Sequence, residues 1–190
     1  MRAMYYRSFG GPDQIVAAEV PTPRPTATQL LVKVAGSSVN PVDWKLRRTQ
    51  GLLYRPVAFP SIPGADISGE VVEVGARVTR FEPGDRLFAM GHVRLGAASA
   101  EFAVVEEQAA ARAPNNLPLA QAAALPLAGL TALQSLRDLG GIAAGQRVLI
   151  VAAAGGVGQF AVQIAKSYGA HVTAVCSRPH ADMLRGLAPD

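Results

Sequence analysis

Apolar and polar positions follow a two-residue period through much of the first half of the chain. Gln29–Ser37 (QLLVKVAGS) sets Leu30, Val32 and Val34 on one face and Lys33 on the other, which predicts a half-buried strand. Pro21, Pro23 and Pro25 before it predict an extended connection, since proline has no N–H to give to a ladder. Asp66–Val74 (DISGEVVEV) reads as a second strand ended by Gly75, and Pro83-Gly84-Asp85 as a tight turn leading into a strand over Arg86–Met90. Short strands at this spacing predict a small antiparallel barrel or sandwich up to about Asn116.

The pattern changes at Leu117. Leu119–Leu139 is rich in Ala and Leu and interrupted by Pro126, predicting two helical pieces that end at Gly140-Gly141. Val148–Val151 is a continuous apolar run, the signature of a strand buried on both faces of a parallel sheet. A turn over Ala152–Gly158 then leads into a helix with Val157, Ala161, Ile164, Ala165 and Tyr168 on one face. Gly169 is placed to cap that helix, and His171–Cys176 is a second strand. The whole is a βαβ unit of about thirty residues. The chain therefore divides into a β domain over residues 1–116 and the start of an α/β domain over 117–190, with a further helix over Pro179–Leu187. Val148–Ala165 carries no charge, but Gly155, Gly156, Gly158, Gln159 and Gln163 fit strand, turn and helix better than a membrane span.

Composition narrows the classes. The 190 residues are 49% hydrophobic and 17% charged, enough to build a core. Cys176 is the single cysteine, which excludes an internal disulfide framework and a cysteine-based zinc module and points to a reducing compartment. Met1–Gly11 has no apolar signal core, so a cytoplasmic location is expected. A net charge of +4 raises anionic partners, yet the densest basic cluster, Lys45, Arg47 and Arg48, lacks interleaved aromatics and reads as a solvated helix face. Nucleic acid is not an expected partner.

The glycine-rich turn carries the chemistry. Between a strand and a helix, such a turn lets backbone approach a pyrophosphate and aims free N–H groups and the positive helix end at it. Ala153 stands where G-x-G-x-x-G begins, while Gly155 and Gly158 fill the other two places. The alternative is a turn chosen only for tight helix–strand packing. About 20 residues on, an NAD site presents an acid to the ribose and an NADP site presents Arg or small polar groups to the 2′-phosphate. Here the count reaches Ser177-Arg178 with no acid, so NADPH is expected over NADH; the plainer reading of Arg178 is a solvated loop residue.

Asn40-Pro-Val-Asp43-Trp-Lys, Pro63-Gly-Ala-Asp66-Ile-Ser-Gly through Gly75, Glu82-Pro-Gly-Asp-Arg86, Ala123-Ala-Leu-Pro-Leu-Ala-Gly-Leu-Thr131 and Gly155-Gly-Val-Gly158 together resemble the medium-chain dehydrogenase/reductase superfamily. Within it the sequence is most similar to the zinc-independent quinone oxidoreductases related to ζ-crystallin. The resemblance implies a GroES-like β-barrel catalytic domain, then a Rossmann domain of doubly wound parallel sheet, with the active site in the cleft between them. It implies that Asn40 and Tyr54 line that cleft, Tyr54 donating to the substrate. It also implies that Thr131 contacts the cofactor, that Ala154, Gly155, Gly156, Val157 and Gly158 hold the pyrophosphate, and that Ser177 and Arg178 hold the 2′-phosphate. For Tyr54 the competing reading is packing beside Pro56 and Phe59.

Zinc-dependent relatives carry Cys in the segment matching Asn40–Asp43 and a His-Glu pair in that matching Ala65-Asp66; neither thiol nor imidazole stands there. A catalytic zinc needs three such protein ligands, so no metal is expected. His92, His171 and His180 are read as surface or loop residues, Cys176 as a core thiol, and Asp43 and Asp66 as capping or turn-forming. Without a Lewis acid, hydride delivery to a quinone or enone is the easier task, since the incoming charge spreads to an oxygen that a hydrogen bond or water can protonate.

The expected activity is thus zinc-free, NADPH-dependent reduction of a quinone or α,β-unsaturated carbonyl. An enoyl-thioester reductase and a non-catalytic NADPH-binding protein are the alternatives. Only two strands of the parallel sheet are present, so the Rossmann domain reads as incomplete and the chain as the N-terminal part of such an enzyme. An unfinished sheet predicts self-association, and family resemblance a homodimer.

Overall fold

The computed structural model describes residues 1–48, 59–91, 97–187 and 189–190, which form two compact units, Met1–Leu127 and Ala128–Asp190. In the first unit, β1 (Arg2–Tyr6) and β2 (Ile15–Glu19) pair as an antiparallel ribbon. The remaining strands are β3 (Gln29–Ser37), β4 (Asp66–Val74), β5 (Arg86–Met90), β6 (Phe102–Glu106) and β7 (Ala110–Arg112). They make one antiparallel sheet in the order β6-β3-β4-β5-β7. The expected barrel or sandwich is therefore built here as a five-stranded sheet with a separate ribbon. Its three strands read from sequence run over the expected residues.

Alternation drives the first core. Leu30 and Val32 of β3, Ile67 and Val71 of β4, Leu87 and Ala89 of β5, and Ala103 and Val105 of β6 pack together with Phe81. The Pro83-Gly84-Asp85 turn closes with the Asp85 N–H donating to the Glu82 carbonyl at 3.1 Å, and the Gly84 N–H bonding the Val71 carbonyl at 2.8 Å. The helix α1 (Pro41–Arg48) opens with proline, whose missing N–H is harmless there.

The division between units falls after Leu127 rather than after Asn116. The short helix α2 (Leu119–Ala122) packs on β3 and β4, and the Leu127 N–H donates to the buried Asp66 carboxylate at 3.0 Å, so the chain stays with the sheet until that point.

Pro126, near the end of the first unit, starts α3 (Pro126–Leu133), which runs into the second unit, continues as a π-helical turn over Gln134–Leu139 and stops at Gly140. β8 (Arg147–Val151) and β9 (His171–Val175) pair in parallel, in register from Arg147 opposite His171 to Val151 opposite Val175. Between them runs α4 (Gly156–Ser167). Gly169, at φ +75°, ends it: its N–H bonds the Lys166 carbonyl at 2.9 Å and the Ala170 N–H bonds the Ala165 carbonyl at 3.1 Å. That pair of bonds satisfies two carbonyls the helix would otherwise leave open. The expected last helix is a 3₁₀ turn over Arg178–His180 followed by α5 (Ala181–Arg185).

Two sequence expectations are corrected here. β8 is not buried on both faces: Ile150 lies in the core, while Leu149 and Val151 are 64% and 69% exposed. α4 packs on β8 and β9 from the Ile150 face. The buried stripe of α4 is also centred elsewhere, on Ala161, Val162 and Ala165, with Val157 and Tyr168 at its exposed margins. The second core joins those residues to Ile150, Ala153, Val172 and Leu184, with Cys176 partly buried against it.

Candidate nucleotide-binding site

A parallel strand followed by a helix places the turn between them at the carboxyl end of the sheet, where open α/β folds bind ligands. The turn after β8 begins with Ala152 in the left-handed region, at φ 56°, and closes with the Gly155 N–H on the Ala152 carbonyl at 2.9 Å. The Ala153 N–H donates to the Val175 carbonyl at 2.9 Å, which ties this turn to the end of β9.

Gly155 then caps α4, and among the described residues no side chain caps that end. The first helix bond is from the Gln159 N–H to the Gly155 carbonyl, 3.1 Å. The N–H groups of Gly156, Val157 and Gly158 are thus left with the helix's positive end and no partner within it. The glycines divide the work. A Cβ on Gly158 would overlap the Ala152 carbonyl oxygen and come within 2.6 Å of Ala153 Cα, so this glycine permits close packing of helix on turn. A Cβ on Gly156 would meet nothing within 4 Å, so this face is open. Such a cradle fits a pyrophosphate. Ala154 is half-buried at its floor, against the second core.

β9 ends at Val175, and the residues past it carry the expected ribose-side groups. Ser177 and Arg178 are both exposed. The Ser177 hydroxyl is already engaged, its Oγ 2.8 Å from His180 Nδ1, and the His180 N–H bonds the Ser177 carbonyl at 3.0 Å. His180 therefore stands with the predicted pair. The sequence places it at the surface, where it is exposed; its spacing of three residues from Ser177, across a turn that holds Pro179, is the signal available. Thr131 lies exposed on α3 of the same unit.

In the first unit, Asn40 sits immediately before α1 and is held from three sides. Its side-chain amide donates to Ser38 Oγ and to Asp66 Oδ2, both at 2.9 Å, and its backbone N–H donates to Asp43 Oδ2 at 2.7 Å. The last bond is the helix's acidic third residue reaching back over the cap position. Both amide hydrogens are thus in use, and the atom Asn40 has left to offer is its Oδ1 oxygen. Asp66 is 1% exposed and accepts from Ser38, Asn40 and the Leu127 N–H. Asp43 is pushed above the ordinary carboxylate range by its burial, partly opposed by the N–H bond from Asn40, with nearby Asp66 adding to the rise.

Tyr54 and His92 lie outside the described residues. Among the described residues, no three His, Cys, Asp or Glu side chains come together as a metal site, and no helix is long and apolar enough to cross a membrane.

Residues 26–115 match the alcohol dehydrogenase GroES-like domain. Over 196 aligned positions the chain is 41% identical to a chloroplast envelope quinone oxidoreductase homolog of Arabidopsis thaliana, covering all of this chain and 60% of that protein. Among solved structures, Escherichia coli quinone oxidoreductase complexed with NADPH is similar at 29% identity and a TM-score of 0.87, with 100% of this chain and 57% of that chain covered. An NAD-dependent alcohol dehydrogenase is similar at 31% identity and a TM-score of 0.92, with coverages of 100% and 62%. The chain thus spans 60% of the length of such curated relatives.

Proposed function

Because the chain belongs to the medium-chain dehydrogenase/reductase superfamily, with a GroES-like domain followed by part of a Rossmann-type domain, we propose that it serves zinc-free, NADPH-dependent reduction of a quinone or α,β-unsaturated carbonyl. The observation that carries this reading is the open end of α4: the N–H groups of Gly156, Val157 and Gly158 have no partner within the helix, and Ser177-Arg178, with no acid, follows β9.

Bound in that cradle, the nicotinamide cofactor would supply a hydride to the acceptor. The chain's own residues do the holding. Gly156, Val157 and Gly158 present N–H groups to the pyrophosphate, with Ala154 and Gly155 shaping the turn beneath it. Arg178 offers a planar cation, and Ser177 a hydroxyl, to the 2′-phosphate. Thr131 would contact the bound cofactor. Asn40, oriented by Ser38, Asp43 and Asp66, offers Oδ1 to a donor on cofactor or substrate. Tyr54 donates to the acceptor oxygen as negative charge develops there, and water supplies the final proton.

The state of Asp66 supports the zinc-free reading. A carboxylate whose two oxygens accept from the Ser38 hydroxyl, the Asn40 amide and the Leu127 N–H is engaged in holding its own unit together.

The test is a titration of the chain with NADPH and with NADH, followed by turnover of a quinone, an enone and an enoyl thioester. Tighter NADPH binding, weakened by about ten-fold or more in Arg178→Ala, is expected. Equal affinity for the two nucleotides would remove the NADPH assignment. Binding without turnover of any acceptor would leave a nucleotide-binding protein, and preference for the thioester would identify the rival reductase. A Tyr54→Phe variant with unchanged quinone turnover would remove the donor role.

A further inference from the structure

We propose that His180 is a third specificity-determining ligand for the 2′-phosphate, and that protonation of its imidazole strengthens the preference for NADPH over NADH. The inference rests on the NADPH reading above and assigns a role to a residue outside it.

Ser177 Oγ and His180 Nδ1 are 2.8 Å apart, and a serine hydroxyl has a single hydrogen to place. When the imidazole is neutral with its hydrogen on Nε2, Nδ1 must accept, so the hydroxyl hydrogen points at histidine. The oxygen then turns only lone pairs outward, which repel a phosphate oxygen. When the imidazole is protonated, Nδ1–H must donate to Ser177 Oγ, and the hydroxyl hydrogen is released toward the ligand. Nε2–H becomes a second, charged donor. One proton therefore converts Ser177 from a poor neighbour of phosphate into a donor and adds a cation beside Arg178. The other neutral form, protonated on Nδ1, frees the hydroxyl but carries no charge and leaves Nε2 bare.

The surroundings favour an anion. Ser177, Arg178 and His180 are all exposed at the carboxyl end of β9. On the following α5, Asp182 is paired with Arg185. The turn over residues 152–158, tied to the end of β9, contributes no charge. Imidazole is the side chain that changes charge between about pH 5 and 8. A phosphate monoester is mostly dianionic above about pH 6.5, since its second pKa is near 6. A protonated imidazole offers the phosphate a charged donor and a neutral one does not, so NADPH affinity should fall as pH rises.

The experiment is direct fluorescence titration with NADPH and with NADH at about pH 6.5 and about pH 8.5, spanning the imidazole range. It uses the unaltered chain, His180→Asn, His180→Lys and Arg178→Ala, each checked for an unchanged melting curve. The expected result is NADPH affinity weakening by about ten-fold at the higher pH, the scale of one charge-assisted hydrogen bond, with NADH affinity flat. His180→Asn should bind NADPH at both pH values as the unaltered chain does at the higher. His180→Lys should restore the preference without its pH dependence. Arg178→Ala should bind more weakly but keep the slope. A flat NADPH preference in the unaltered chain, or a slope that survives in His180→Asn, overturns this inference and leaves the NADPH reading standing. Equal affinity for both nucleotides at every pH, or binding of neither, overturns that reading and this inference with it.

Discussion

At the scale of single residues, two glycines two positions apart in the glycine-rich turn have different jobs. Gly158 has backbone where a Cβ would go, whereas Gly156 has open space. Gly158→Ala is expected to cost about 1–3 kcal/mol through overpacking against the Ala152–Ala153 backbone. Gly156→Ala should hold or slightly raise stability, since alanine is the better helix former. The same substitution should weaken nucleotide binding, because its methyl occupies the open face of the cradle. Paired urea denaturation and nucleotide titration check both; comparable destabilisation in the two variants would show that the glycines serve packing alone. Asp43 gives a pH-dependent prediction. Burial raises its pKa in the folded state, so its ionised form opposes folding above the ordinary carboxylate range, and that cost disappears as pH falls and the folded state takes up its proton first. Glu107 and Asp190, which accept backbone N–H bonds and face Arg80 and Lys166, have lowered values and act in the opposite sense. Asp43→Asn should therefore stabilise the protein relative to the unaltered chain at neutral pH, with the difference shrinking toward about pH 4, below which both side chains are neutral. Denaturation midpoints at the two pH values measure it, and a difference that grows on acidification would contradict the sign.

At the scale of elements, helix ends decide more than helix propensity does. Gly169 adopts φ +75° and its cap returns two hydrogen bonds to α4, with Ala144 Cβ 3.3 Å from where a side chain would begin. Gly169→Ala is expected to destabilise by about 1–2 kcal/mol, the cost of the left-handed conformation for an L-residue, and urea denaturation reads it directly. Strand limits were legible because alternation and turn residues are local: β3, β4 and β5 begin and end where the sequence changes character. Burial of β8 was not legible, because an apolar run reports what a strand can tolerate and not what covers it. The stripe of α4 shifted for a related reason, since the burial of Val162 depends on which residues of the second core surround it.

At the scale of the whole molecule, each unit has its own core, and the second presents Leu149, Val151 and Val175 as an apolar strip, 64%, 69% and 45% exposed. Contiguous exposed apolar surface on a two-stranded sheet predicts association at rising concentration. Replacing Leu149 and Val151 with lysine should shift the sedimentation profile toward monomer without lowering the melting temperature; an unchanged profile would place the contact elsewhere.

The sequence by itself determined which segments alternate, where turns and caps fall, and that a glycine-rich turn joins an apolar strand to a helix ahead of Ser177-Arg178. These are properties of neighbours along the chain, governed by backbone freedom and periodicity. Only the tertiary structure decided that Asn40 has Oδ1 left to offer, that Asp66 is occupied by three donors including the Leu127 N–H, that Gly158 rather than Gly156 is required for packing, and that His180 shares a hydrogen bond with Ser177. Each of these depends on which atoms fill the space around a group, and that is fixed when elements distant in sequence, or a turn's own conformation, bring their donors and acceptors together.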